Sequence, residues 1–383
     1  MLLFEEKSRN YEKPMKASED YYRYLDKISL EWGNQVRDIL NIWFSHLPVE
    51  EQTEMKRRFQ KDDFQAAFFE LFLHELFLKL GYKITIHPDI DGQEKHPDFL
   101  LEKDDFKFYL EAKLCHFKSK EEAKRDGRKY KLYDELDKLS SEKYFLSVEE
   151  IKFFDNNEPS VRKIKSFLKK ELNRLEKLDI NTENWNDPVY EDEFMINYED
   201  DRIKISFKPI PKIVPTKTEK LIGKWDVETE YSHFINSFRN SVKSKVVRYG
   251  DLKTPYIIAV NIFEPLVSTD EIIDALFGKR VFLYNVSNDE VRSSRKNDGI
   301  IYSKRGIQNK RVSGILTFFS ILDTNLYNKN LKRKRMILFH HPWAKYPFPK
   351  ETLPADEFFV VNDIYQPVEK NINLYDILFT EDI

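Results

Sequence analysis

Cysteine is almost missing from this chain: Cys115 stands alone among 383 residues. An intramolecular disulfide is therefore impossible, a Cys-rich zinc module is excluded, and a reducing cytoplasm is the expected setting. Glycine is scarce as well, with ten in all, which argues against a glycine-rich nucleotide-binding turn repeated along the chain. No apolar run approaches the roughly 18 residues that would span a bilayer; the longest candidates are Tyr256 to Phe263 and Gly314 to Leu322. Met1 to Asn10 carries Glu5 and Glu6 and no extended apolar stretch, so neither secretion nor a membrane partner is expected. Net charge is also small, −3 from 63 basic and 66 acidic side chains. Any hold on a polyanion must come from local patches.

What is present is a globular composition, 41% hydrophobic and 34% charged, with 30 Phe and 20 Tyr. The length allows two or three structural units, or one core with large elaborations. Leu25, Ile28, Trp32, Val36, Ile39 and Trp43 follow the spacing of one apolar helical face that stops before Pro48. A second helix is expected from about Asp62 to Leu80, capped by Gly81. The period then changes to strand-like alternation in Lys83 to Ile90, Pro97 to Lys103 and Phe106 to Leu114, with polar turns at Asp91-Gly92 and Asp104-Asp105.

Farther on, Lys118 to Lys131 reads as a solvated helix or loop, and Val161, Ile164, Leu168, Leu172 and Leu175 as an amphipathic helix with a Lys-rich outer side. Asn181 to Asp201 holds eight acidic residues and no Lys or Arg, the mark of a solvated loop. Ile203, Ile205 and Phe207 alternate as a strand, after which Pro209, Pro211 and Pro215 are expected to interrupt. Phe234, Phe238, Val242 and Tyr249 share a helical face, Pro255 breaks that helix, and Tyr256 to Phe263 reads as a strand buried on both sides. Further strands are expected at Val281 to Tyr284, Gly314 to Ile321 and Met336 to Phe339.

The chemistry concentrates in one predicted hairpin. If Asp104 and Asp105 make a two-residue turn, Lys103 faces Phe106, Glu102 faces Lys107, Leu101 faces Phe108, Phe99 faces Leu110, and Asp98 faces Glu111. Lys113, two residues on, shares their side of the strand. Carboxylates opposed in this way have Cβ atoms roughly 5 Å apart and repel unless one holds a proton or a cation lies between them. Hard oxygen donors without Cys or His favour Mg²⁺ or Mn²⁺. Lys113 beside such an ion would orient a water or steady charge on a phosphate. Glu70, on a helix apolar nearly all round, is expected over the polar face of the hairpin, as a metal ligand directly or through water.

Glu70 on a helix, Pro97-Asp98, and Glu111-Ala112-Lys113 on the next strand resemble the PD-(D/E)xK nuclease superfamily. The clear match covers about Asp62 to Cys115. The resemblance implies an α/β, restriction-endonuclease-like core, a mixed central sheet flanked by helices, built from 62–115 and 224–268. Around it would lie a helical extension at 1–61, an inserted subdomain at 116–223 and an α/β region at 269–383. It implies Mg²⁺- or Mn²⁺-dependent cleavage of nucleic acid, DNA foremost, with Asp98, Glu111 and Glu70 as ligands and Lys113 by the attacking water. Defence against foreign DNA is the role it suggests, with structure-selective cleavage in repair or recombination as the relative, and a dimer where both strands are cut.

Lys243, Lys245 and Arg248, before the buried strand, are the candidate phosphate contacts, with Arg162 to Lys177 and Lys332 to Arg335 as further basic patches. Other readings stay open. Lys113 can bridge Asp98 and Glu111 on a solvated hairpin, Glu70 can pair with a nearby Lys or with His74, and the fold can serve a non-catalytic nucleic-acid or protein interaction module. Trp32, Trp43 and the acidic stretch would then meet a partner. Cys115-His116 with His87 and His96 lacks the second spaced pair that zinc requires.

Overall fold

A computed structural model of the chain describes residues 1–379 apart from 17–18, 62, 91, 116–119, 156, 178–193, 213–220, 225–230, 264–266, 286–289, 328–329 and 362–363. The chain divides into two compact units. The first comprises 1–13, 21–117 and 230–383, and the second 14–20 and 118–229. Residues 1–13, 21–61 and 269–383 thus belong to the same unit as the predicted core. No helix among the described residues is long and apolar enough to cross a membrane.

The first unit opens with α1 (Tyr21–Lys27), α2 (Glu31–Ser45), α3 (Val49–Lys61) and α4 (Phe64–Lys79), followed by β1 (Lys83–Ile86), β2 (Phe99–Lys103) and β3 (Phe106–Cys115). The second unit holds α5 (Lys120–Leu136), β4 (Tyr144–Phe153), α6 (Val161–Glu176), β5 (Ile196–Glu199), β6 (Ile203–Pro211) and β7 (Ile222–Lys224). The first unit resumes with α7 (Tyr231–Val246), β8 (Tyr256–Ile262), α8 (Thr269–Phe277), β9 (Arg280–Asn285), β10 (Glu290–Arg295), β11 (Tyr302–Ser303) and β12 (Gly306–Ile307). It ends with β13 (Gly314–Phe319), β14 (Ile337–His340), β15 (Asp356–Val361), β16 (Ile364–Val368) and α9 (Leu374–Phe379).

Its centre is a mixed sheet of eight strands, ordered β1-β2-β3-β8-β13-β14-β15-β16. β8 runs parallel to β3 on one side and to β13 on the other. All seven of its residues are buried, which explains the unbroken apolar run. Asn261, the one polar member, is satisfied by donating to the Ile321 carbonyl and accepting from the Ile321 amide, at 2.8 and 2.9 Å. Phe238 and Val242 of α7 pack with Ile258 and Val260 of β8 in one core. Each such side chain contributes about 1.5–3 kcal/mol through burial.

α4 begins where Asp63 accepts from the Ala66 amide at 3.2 Å and ends before Gly81, whose φ of +80° suits glycine. It is apolar all round because neighbours surround it: Phe69 and Phe72 meet Phe318 of β13 edge to face, and Trp43 of α2 lies against Phe72.

The N-terminal stripe differs from expectation. The chain leaves the helix at 28–30, where the Ser29 amide bonds the Tyr11 carbonyl, and re-enters as α2. The buried side of α2 carries Val36, Leu40, Trp43 and Phe44, while Trp32 and Ile39 are only half-buried. Gly33 is required at the bend, since a Cβ there would fall 2.6 Å from Ile28 Cγ2.

In the second unit α6 buries Ile164, Leu168, Leu172 and Leu175 in one core with Leu146, Val148, Ile205 and Phe207 of a four-stranded sheet, ordered β5-β6-β4-β7. Pro209 and Pro211 do not interrupt β6 but lie within it. β5 pairs only with Lys204 to Phe207, so both prolines sit past its end, where no neighbour needs their missing N–H. Of the acidic stretch, 181–193 lies outside the described residues and Ile196–Glu199 is a strand. Pro215 and Asp91 also lie outside them.

Candidate functional site

The β2–β3 ladder has the register that the turn implies: Phe99 faces Leu110, Leu101 faces Phe108, Glu102 faces Lys107 and Lys103 faces Phe106, with Asp104 in the turn at φ +52°. Asp98 lies one residue beyond the ladder, level with Glu111, and its Oδ2 accepts from the Ala112 amide at 2.6 Å.

The two sides of β3 are covered by different helices. Phe77 of α4 packs on Phe108 at 5.9 Å, so α4 covers the side of the even-numbered residues. Glu111 points to the other side, toward the end of α7. Glu70, expected over the polar face of the hairpin, stands close enough to Asp98 to be the leading charge acting on it. It is held by the Arg58 guanidinium in a two-pronged pair at 2.5 and 2.6 Å.

Glu111 is fully buried. One of its oxygens takes both Lys245 and Arg248, the latter at 2.9 Å. The Tyr249 hydroxyl lies 2.6 Å from the other oxygen and 2.7 Å from the His96 carbonyl, two acceptors for one proton. Of the three predicted phosphate contacts, Lys243 and Arg248 are exposed and Lys245 is half-buried. Lys245 and Arg248 both reach Glu111, since a buried carboxylate without a partner costs several kcal/mol. α7 stops at Val246, so Tyr249 reaches Glu111 from beyond the helix end and not from its apolar face.

Electrostatics join the four predicted residues. The Asp98 pKa is pushed up to about 7, first by burial, then by Glu70 and then by Glu111. Lys113 is held below its ordinary range, first by burial and then by the nearby Lys245. Arg58 is pushed up by its bond to Glu70. Lys245 and Arg248 offset the charge of Glu111, and Arg58 that of Glu70, within the protein itself. Among the described residues no three His, Cys, Asp or Glu side chains stand close enough to hold a metal ion. The donor chemistry still fits a hard divalent ion, since Asp98 and Glu111 are neighbouring carboxylates and Asp98 remains short of compensating charge. Asp98 and Glu111 would hold such an ion.

Arg58, Tyr249 and the Ala112 amide were not anticipated. Lys245, Arg248 and Tyr249 are spaced three and four apart, a signal for one shared side, but that spacing did not name Glu111 as their target. His87 stands 3.6 Å from Glu51, and His96 meets the Pro88 carbonyl at 3.2 Å.

No family model, curated protein or solved structure matches the chain.

Proposed function

We propose that this chain is a Mg²⁺- or Mn²⁺-dependent nuclease with a restriction-endonuclease-like core, acting on DNA in the cytoplasm. One observation carries the reading: the β2–β3 register sets Asp98 level with Glu111, with Lys113 next along the same side. Asp98 and Glu111 would hold the ion, with Glu70 completing its shell through water. A bound divalent ion would supply polarisation of the phosphodiester and a more acidic water. Lys113, easier to deprotonate than an exposed lysine, would take a proton from the attacking water or steady the charge on the pentavalent phosphorus. Lys245 and Arg248, once released from Glu111, would meet phosphate oxygens.

The purified full chain is expected to nick supercoiled plasmid with Mg²⁺ or Mn²⁺ and not with chelator. Asp98→Asn and Lys113→Ala should each lower the rate by at least about a hundredfold, in line with loss of a proton-transfer or charge-stabilising group. Intact plasmid, single-stranded DNA and RNA after incubation of wild type with either metal would overturn the reading. A second reading, a non-catalytic interaction module, draws on the Lys245–Glu111–Arg248 cluster, which is neutralised by the protein alone. That same negative result would favour it.

A further inference from the structure

The stretch between Asp298 and Asp323 contains no acidic residue, yet holds Lys304, Arg305, Lys310 and Arg311. β11 and β12 form a tight hairpin here, with Lys304 and Arg305 exposed at its tip and Gly306 at φ +78°. Beside it is a turn that carries Trp343. The aromatic rings of Tyr302 and Trp343 stand 6.5 Å apart and are 37% and 38% exposed.

The pair is fixed in place and is not a loose end. His341 Nε2 donates to the Gln308 carbonyl at 2.8 Å, its Nδ1 accepts from the Trp343 amide at 3.1 Å, and the Lys345 amide bonds the Lys310 carbonyl at 2.6 Å. Arg311 donates to the backbone carbonyl of Tyr249, whose hydroxyl meets Glu111, at 2.9 Å, and Lys345 pairs with Asp251 at 2.5 Å. Lys304, Arg305 and Lys310 are all exposed.

We propose that Tyr302 and Trp343, with Lys304, Arg305 and Lys310, form a platform that binds single-stranded nucleic acid and delivers it to the Asp98–Glu111 site. The inference rests on the nuclease reading for that destination. Free aromatic faces accept unstacked bases, while the surrounding cations meet the backbone; a duplex keeps its bases stacked internally and gains only the charge term. An acidic peptide would satisfy the lysines and leave the two rings without a role.

The test is fluorescence anisotropy of the full chain in chelator, where no cutting intervenes. The probes are a short labelled oligothymidylate, the matching oligouridylate, and a duplex of equal length. Wild type is expected to bind at least one single strand more tightly than the duplex. Trp343→Ala and Tyr302→Ala should each weaken that binding about five- to a hundredfold, and Trp343→Phe should restore most of it. Lys304→Ala and Lys310→Ala should each flatten the salt dependence by somewhat less than one unit of slope. Failure of wild type to bind either single strand, unchanged binding in Trp343→Ala, or a duplex bound as tightly overturns the platform. Because binding is read without metal, a chain that binds but never cuts refutes the nuclease reading and leaves the platform intact.

Discussion

Lys245, on the last turn of α7, ion-pairs with Glu111, which is buried on β3. The contact links a helix to a sheet across more than a hundred residues of sequence, and it decides what the centre of the site is without added ions.

Removing the ammonium should leave Glu111 short of charge in a buried place. Lys245→Met is expected to destabilise the chain by about 3 kcal/mol, the usual order for a buried carboxylate that loses a partner. Arg248→Met, whose side chain is 36% exposed, should cost about 1 kcal/mol or less. Urea unfolding in chelator measures both. Mn²⁺ should then raise the melting temperature of Lys245→Met more than that of wild type, because the ion and the ammonium want the same carboxylate. Equal shifts would speak against that competition.

Arg58 and Glu70 form a second partly buried pair, with side chains 23% and 13% exposed. Arg58→Met alone is expected to cost about 1–3 kcal/mol, and the double variant Arg58→Met with Glu70→Met should recover most of it, since an apolar pair of similar size replaces an ion pair at little net cost. A double variant as unstable as the single one would show that Arg58 packs rather than compensates charge.

Asp323 is buried against Tyr21, whose hydroxyl donates to it at 2.8 Å. Burial pushes its pKa up from 3.8 to about 6. Between those values the folded chain keeps a proton that the unfolded chain has released, so this group's contribution is fully present below the lower value and fades as pH rises through the upper one. The slope is at most about 1.4 kcal/mol per pH unit. Asp323→Asn should remove it, so the stability difference between variant and wild type should move in the variant's favour from acid toward neutral pH. A difference constant with pH would refute the assignment.

Gly278 and Gly92 separate backbone strain from crowding. At Gly278, φ is +103° and a Cβ would fall 1.7 Å from the Lys296 carbonyl oxygen; at Gly92, φ is +72° and nothing lies within 4 Å. Gly92→Ala is therefore expected to cost about 1 kcal/mol, from the left-handed backbone alone. Gly278→Ala should cost about 3 kcal/mol or more, because the Lys296 backbone must move. Thermal melts of the two variants make the comparison.

Local rules carried the sequence reading far where each element's pattern depends on its own neighbours. The hairpin register followed from one two-residue turn and the alternation of Phe99, Leu101, Phe108 and Leu110. The burial of β8 followed from its unbroken apolar run. The break between α1 and α2 was not legible, because Leu25 to Trp43 keeps helical spacing across it and the interruption is made by Tyr11, distant in sequence. The strand character of Pro209 and Pro211 was missed for a related reason: whether a proline is tolerated depends on where β5 ends.

The candidate site divides in the same way. That Asp98 and Glu111 stand level, with Lys113 on the same side as Glu111, was contained in the order of residues along one hairpin, since adjacent strands with a short turn have one sensible alignment. Which side α4 covers, and that Lys245, Arg248 and Tyr249 converge on Glu111 while Arg58 holds Glu70, emerged only from packing. Those contacts join segments separated by a whole second unit or by a helix reversal, and a buried charge takes whichever partner the fold brings near, a choice that no local pattern encodes.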